Sequence, residues 1–310
     1  MKKNSRILII GHADAIENSL KDHFRAHRYP NIFSSSSLKT DWLDQKSVEK
    51  FFKARRPEYV FLGSIRSGGI AANQKYAAEF LYENLQCQTN VIHAAYRSGV
   101  KKLLYYSSSC AYPKDAKQPI REESLLSGVL EETSGPYSVA KIAGIKLCET
   151  YNRKYGFPAI AAVPATVYGP GSDTDVATAH VMGALIAKFH LAVKTKQKKI
   201  IVWGSGRPRR EFIHTDDFVQ GSLFLMEKYN APELINLGCG EDVTIRELAK
   251  NIAEIAGFKD KIVFDSSKPD GAMRKLMDNK RIRRLGWAPK VSLIEGILQT
   301  YQWYKNSLRD

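Results

Sequence analysis

Tyr137 and Lys141 stand four positions apart in the run Tyr137-Ser138-Val139-Ala140-Lys141, a spacing that puts a phenol and an ammonium on one face of a helix. A cation beside a phenol lowers its pKa, so Tyr137 could give or take a proton near neutral pH. Ser108 lies 29 residues upstream of Tyr137, within Ser107-Ser108-Ser109-Cys110, and its hydroxyl could hydrogen-bond a substrate oxygen. A bare Tyr-x-x-x-Lys spacing is weak, because surface Tyr–Lys pairs occur in many chains. Its weight comes from the order strand, serine cluster, helix, Tyr, Lys. Cys110 and His180 could also move protons. Taken singly, a cysteine is more often a small buried hydrophobe, and a histidine more often a surface or capping residue.

These residues need a scaffold, and the first two-thirds of the chain supplies the pattern of one. Short apolar runs alternate with helical stretches, which predicts a parallel sheet covered by helices. Strands are expected at residues 6–10, 59–62, 102–106 and 159–163, and helices at 15–27, 47–55, 75–97 and 137–155. Ser34 to Ser37 reads as a loop, and Tyr168 to Gly171 as a turn cluster. Beyond residue 170 the pattern loosens, with helices expected at 179–192, 244–256 and 292–305 and strands at 199–203 and 261–264. The fold class is therefore α/β: a doubly wound, Rossmann-like parallel sheet over residues 1–170, and a smaller C-terminal α/β portion over 171–310. Some later segments are expected to return to the first part. In such sheets ligands bind beyond the carboxyl ends of the strands, where Ser108 and Cys110 fall.

Composition narrows the partners. The chain has 310 residues, 44% apolar and 25% charged, which argues against disorder. The balance of 47 Lys and Arg against 32 Asp and Glu gives +15, which admits nucleic acid, an anionic membrane surface or a phosphorylated small ligand. No zinc spacing, aromatic RNA-binding motif or helix-turn-helix signal is present, which argues against nucleic acid. No segment approaches the ~18–20 apolar residues that span a bilayer, so no membrane association is expected. Ile7-Leu8-Ile9-Ile10 is too short for a signal-peptide core and reads as a buried strand. The four cysteines, Cys87, Cys110, Cys148 and Cys239, show no metal or redox pair spacing, so no metal is expected and the compartment reads as reducing and cytoplasmic.

Longer motifs sharpen this. Ser108-Ser109-Cys110-Ala111-Tyr112-Pro113 is followed by Pro136-Tyr137 through Lys141-Ile142-Ala143-Gly144-Ile145-Lys146-Leu147-Cys148-Glu149. Ala179-His180-Val181, Val202-Trp203-Gly204-Ser205-Gly206, Arg210-Glu211-Phe212-Ile213-His214 and Ser267-Lys268-Pro269-Asp270-Gly271 come later. Over nearly its whole length the chain resembles the extended short-chain dehydrogenase/reductases, and within them the GDP-L-fucose synthases. The resemblance implies two kinds of chemistry at one site on GDP-4-keto-6-deoxymannose: epimerisation at C3 and C5, then reduction of C4 by NADPH. It implies Cys110 as base and His180 as acid, with Ser108 and Tyr137 on the C4 oxygen and Lys141 keeping the phenol acidic. Gly11, Asp44, Tyr137 and Lys141 would contact the cofactor, with Asp44 near the adenine. Lys188, Arg210 and Lys275 would surround the diphosphate and Trp203 would lie near guanine. A homodimer built on the two long helices is also implied. The Lys194–Lys199 cluster and Arg281, Arg283 and Arg284 read as solvated faces.

The resemblance breaks at the first turn. The family has Gly-x-x-Gly-x-x-Gly there; this chain has Gly11-His12-Ala13-Asp14-Ala15-Ile16-Glu17. The second glycine lets backbone approach the cofactor pyrophosphate and the third lets helix and strand pack closely, so Asp14 and Glu17 predict a weakened or remodelled cofactor grip. Serines at 34–37 stand where relatives commonly carry arginine, Gly63-Ser64 replaces a small apolar pair, and Thr166 replaces an asparagine. Two alternatives follow: an epimerase-only or GDP-heptose-type homologue, and a non-catalytic GDP-sugar-binding protein.

Overall fold

Four apolar residues in a row, Ile7 to Ile10, leave no face for solvent, and all four are buried, as suits a strand covered on both sides. The computed structural model describes residues 1–12, 15–176, 179–268 and 270–308. Strand β1 (Ile7–Ile10) leads into α1 (Ala15–Ala26), β2 (Ile32–Ser34), α2 (Gln45–Arg55), β3 (Tyr59–Leu62), the short α3 (Ile70–Lys75) and α4 (Ala77–Arg97). Then come β4 (Lys102–Tyr106), α5 (Gly135–Tyr155), β5 (Ala159–Pro164), β6 (Thr166–Tyr168), α6 (Val181–Lys194), β7 (Lys199–Trp203), β8 (Arg209–His214) and α7 (Thr215–Lys228). Strands β9 (Ile235–Leu237) and β10 (Asp242–Thr244), helix α8 (Ile245–Ala256), β11 (Lys261–Asp265), β12 (Arg274–Lys275), α9 (Lys280–Arg284) and α10 (Leu293–Ser307) complete the chain.

Among the described residues six strands form a parallel sheet in the order β2-β1-β3-β4-β5-β9. From β1 the chain runs outward to β2 and then returns to the other side as β3. The carboxyl ends of β1 and β3 therefore flank the topological switch point, where a crevice must open. The expected doubly wound fold is found. Strand β9, far along in sequence, pairs with β5 at the sheet edge.

Helix α5 is set unusually close to this sheet. A Cβ on its Gly144 would lie 2.4 Å from the Tyr105 hydroxyl and 2.3 Å from that ring's Cζ, so only glycine lets the helix lie against β4. Glycine inside a helix costs about 1 kcal/mol relative to alanine, and here the cost secures the approach. Gln88 of α4 locks the contact, donating to Ala140 O at 2.6 Å and accepting from the Tyr105 hydroxyl at 2.7 Å. Tyr137 and Lys141 lie two turns and one turn before Gly144, so their placement follows from this packing.

A second core brings together Leu185, Ile186 and Phe189 of α6, Leu248 and Ile252 of α8, Phe212 of β8 and Ile297 of α10. Strand β8 pairs with β6, β10 and β12, while β7 pairs with β11. Asp242 bridges Arg209 at 2.9 Å and Arg274 at 2.5 Å, tying β12 beside β8 with Lys275 opposite Arg210.

The helix expected over 75–97 is α4, which begins at Ala77, and the short α3 precedes it with Tyr76 between the two. The helix expected from 179 begins at Val181, with His180 as its N-cap. Strands β2, β6, β8, β9, β10 and β12 and helices α3, α7 and α9 lie outside the expectations from sequence. Several are strands of three residues or fewer, too short to show periodicity, whereas Phe218, Val219, Ser222, Leu225 and Met226 do mark a buried helical face on α7.

Candidate active site

Two cavities of about 580 and 500 Å³ open beyond the carboxyl ends of β1, β3 and β4 and share a wall. Ser108, Ser109, Cys110, Ala165, Thr166 and His180 line both. The larger is also lined by Gly11, Gly63, Ser64 and Tyr137, and the smaller by Lys188, Trp203, Arg210 and Lys275. The serine-cysteine turn and His180, 70 residues apart in sequence, thus meet between a crevice at the switch point and a pocket in the second core.

Tyr137 points into the larger cavity, its hydroxyl 2.8 Å from Ser64 Oγ. Lys141 is buried one turn on, its Nζ 4.5 Å from the Tyr105 ring centroid and 5.9 Å from that of Tyr137. Ser108 caps the turn 109–111, its Oγ accepting from Cys110 N–H at 3.3 Å.

Burial by itself would push the Cys110 thiol up. Lys275, whose Nζ donates to Sγ at 3.4 Å, and further hydrogen bonds from Ser108 and Ser134 outweigh that and hold the thiol below its ordinary value. The other three thiols go the opposite way: burial pushes Cys87 and Cys239 up to about 12, and Cys148 well up too. Cys110 is therefore the cysteine whose surroundings favour the thiolate, and the other three disfavour it. Its partners Ser134 and Lys275 come from segments distant in sequence, and only the Lys275 position was singled out beforehand.

Three basic side chains, Lys188, Arg210 and Lys275, and three carboxylates, Glu131, Glu211 and Asp270, line the pocket in the second core. Arg210 Nη1 donates to Arg209 O at 2.8 Å and Ala272 O at 2.6 Å, and burial lowers its pKa, so the guanidinium is held in place. Lys188 donates to Ile201 O at 2.6 Å and is likewise lowered by burial. Trp203, at the end of β7, leaves 67% of its surface exposed, which a core tryptophan would not. Asp44 does not appear among the described residues lining either cavity; it caps α2, accepting from Ser47 N–H at 2.7 Å.

At the first turn, Asp14 lies outside the described residues. Glu17 is fully buried, and α1 still packs against β1 because Gly11 lacks a Cβ, which would fall 2.8 Å from Glu17 Cβ. A dinucleotide fits the cleft at its nicotinamide end. Gly63 hydrogen-bonds Ile10 O at 2.7 Å, a Cβ there would come within 3.1 Å of that oxygen, and Ser64 and Tyr137 rise beyond.

Residues 7–238 match the model of the NAD dependent epimerase/dehydratase family. The chain belongs to this family. A "Probable GDP-L-fucose synthase 1" of Oryza sativa subsp. japonica is 46% identical, over 97% of this chain and 92% of that protein. Among solved structures, a GDP-6-OMe-4-keto-L-xylo-heptose reductase from C. jejuni superposes with a TM-score of 0.93 at 35% identity, covering 99% of each chain. A GDP-mannoheptose C4 reductase from Campylobacter jejuni, solved with NADP bound, gives 0.90 at 37% identity over 98% of this chain and 99% of its own. In this epimerase/dehydratase chain, then, the switch-point crevice and the pocket of the second core lie on the two sides of the shared wall. No helix among the described residues is long and apolar enough to cross a membrane, and no group of metal-ligating side chains is found among them.

Proposed function

We propose that the chain is an enzyme that epimerises a GDP-4-keto-6-deoxy-sugar at C3 and C5 and then reduces its C4 ketone with NADPH. The observation that carries this reading is the shared wall, where a lowered thiol and His180 stand between a cleft holding Tyr137 and a pocket holding three cations. The six-stranded sheet would hold the cofactor and the second core the GDP-sugar. A C–H beside a ketone is acidic because the enolate is stabilised, so one base and one acid on opposite ring faces can invert the centre. Cys110, its thiol lowered by Lys275, suits the base, and His180 suits the acid. The bound cofactor supplies hydride to C4. Tyr137 gives the C4 oxygen its proton, Ser108 orients that oxygen, and Lys141 favours the resulting phenolate. Lys188, Arg210 and Lys275 suit a diphosphate, for which charge-assisted hydrogen bonds are natural. Exposed Trp203 offers a stacking face for guanine.

The test is to supply GDP-4-keto-6-deoxymannose with NADPH and follow loss of reduced-nicotinamide absorbance, and separately deuterium uptake at C3 and C5 without cofactor. No oxidation with either nicotinamide dinucleotide sinks the reductase half; no exchange sinks the epimerase half. The similarity to GDP-heptose reductases supports a second reading, a GDP-4-keto-heptose substrate, which comparison of kcat/KM for the two sugars decides. We also infer a cytoplasmic homodimer. Helices α4 and α5 leave Tyr82, Val139 and Tyr155 exposed, an apolar surface that a partner's helices would cover. Sedimentation as a monomer at micromolar concentration would rule the dimer out.

A further inference from the structure

The turn that follows β2 is built to hold an anion, and the chain's own carboxylate sits in it. Glu17, in the first turn of α1, is fully buried. Its Oε1 accepts from the Ser34 hydroxyl at 2.5 Å and from Ser36 N–H at 3.0 Å, with the Ser35 hydroxyl at 3.1 Å. Ser34 and Ser36 brace one another, their hydroxyl oxygens 2.9 Å apart, and Ser35 Oγ accepts from Gly11 N–H at 3.1 Å, binding the cradle to the first turn. Residues 32–38 contain no lysine or arginine.

The location gives this cluster its meaning. In doubly wound sheets the adenosine ribose of a dinucleotide lies over the end of β2, about 20 residues past the first glycine of the turn. An acidic side chain there bonds the ribose 2′-hydroxyl, or an arginine nearby takes a 2′-phosphate. Ser34 and Ser35 follow Gly11 by 23 and 24 residues. Here the carboxylate reaches that place from α1 and takes the Ser34 and Ser35 hydroxyls and the Ser36 N–H, donors that a phosphate could otherwise use. We propose that Glu17 relaxes dinucleotide selectivity in this chain: its carboxylate fills the Ser34–Ser36 cradle from within and weakens the hold on the 2′-phosphate that distinguishes NADPH from NADH, so that NADH is accepted beside NADPH. This rests on the dinucleotide reading of the switch-point cleft. It goes beyond that reading by assigning the penalty to one side chain, which occupies a position where the family has glycine.

The experiment is a titration of NADPH and of NADH into wild type, Glu17→Gln and Ser36→Arg, by calorimetry or nucleotide fluorescence, alongside thermal melting of each protein. Glu17→Gln keeps the shape and removes the charge. Ser36 is exposed, so its arginine spares the core, faces the carboxylate and offers the 2′-phosphate a partner. Both variants are expected to lower the ratio of the NADPH to the NADH dissociation constant by roughly ten-fold, the size of one unscreened like-charge contact near a protein surface after solvent has weakened it. Should Glu17→Gln fail to fold, Ser36→Arg decides. An unchanged ratio in folded variants that still bind a dinucleotide overturns the role of Glu17 and leaves the cleft's assignment standing. Binding of neither dinucleotide by any of the three proteins overturns both.

Discussion

Replacing Lys275 with methionine tests the central electrostatic claim of the site. The ammonium lies 3.4 Å from Cys110 Sγ. Two unit charges about 4 Å apart attract by about 4 kcal/mol at an effective dielectric near 20. Both residues are part-exposed, so solvent screens the pair and roughly 1.5–3 kcal/mol is a reasonable remainder. That is roughly a ten- to hundred-fold change in an equilibrium constant. Lys275→Met should therefore raise the Cys110 thiol and cut its thiolate population at a given pH by about that factor, because burial then acts with less opposition. The assay is the rate of iodoacetamide modification of Cys110 as a function of pH, read by mass spectrometry of the tryptic peptide. Cys87, Cys148 and Cys239, all pushed up by burial, serve as internal controls that react slowly throughout. In deuterium exchange at C3 and C5, the limb that rises as Cys110 deprotonates should move to higher pH in step, whatever happens to KM. An alkylation profile that does not move on loss of Lys275 would refute the reasoning, and Ser108 and Ser134 alone would then have to account for the lowered thiol.

Tyr137→Phe should cut C4 reduction by about 10²–10⁴, the usual worth of a positioned acid, while deuterium exchange at C3 and C5 persists; parallel loss of both would place Tyr137 in the epimerisation as well. Gly144→Ala should push α5 off β4, because its Cβ meets the Tyr105 ring at 2.3 Å. Overpacking of this kind costs about 1–3 kcal/mol, visible as a lower melting temperature together with weakened reduction. Burial raises the Glu211 carboxyl to about 7, against the opposing N–H groups of Gly240 and Met277, which donate at 2.7 and 2.9 Å. The native state then binds the proton more tightly than the unfolded chain, so its stabilisation is full below about pH 4.5 and fades as pH rises through about 7. The melting temperature of wild type relative to Glu211→Gln should fall across that window, and a flat difference would count against the raised carboxyl.

Much of this protein is written locally. Ile7 to Ile10 has no polar face, so it must be a strand covered on both sides, and the repetition of such runs between helices is enough to require a parallel sheet with its ligand cleft at the strand ends. Tyr137 and Lys141 share a helix face because of helical geometry alone, whatever the helix packs against. The loss of glycine at 17 is likewise legible without coordinates. What that substitution does is not, since side-chain type says nothing of which donors surround it. Only the fold brings Ser34, Ser35 and Ser36 around Glu17 from a different strand, turning an expected steric fault into a filled anion cradle. Asp44 shows another side of this: its type and position suggest a ligand, and only the fold shows that its carboxylate also caps α2. Cys110 is the clearest case. Alone it is a small thiol that burial would leave inert. The pairing of β12 beside β8 brings Lys275 to it across 165 residues, and a charge at that distance, which no local pattern encodes, decides whether sulfur is a packing atom or a base.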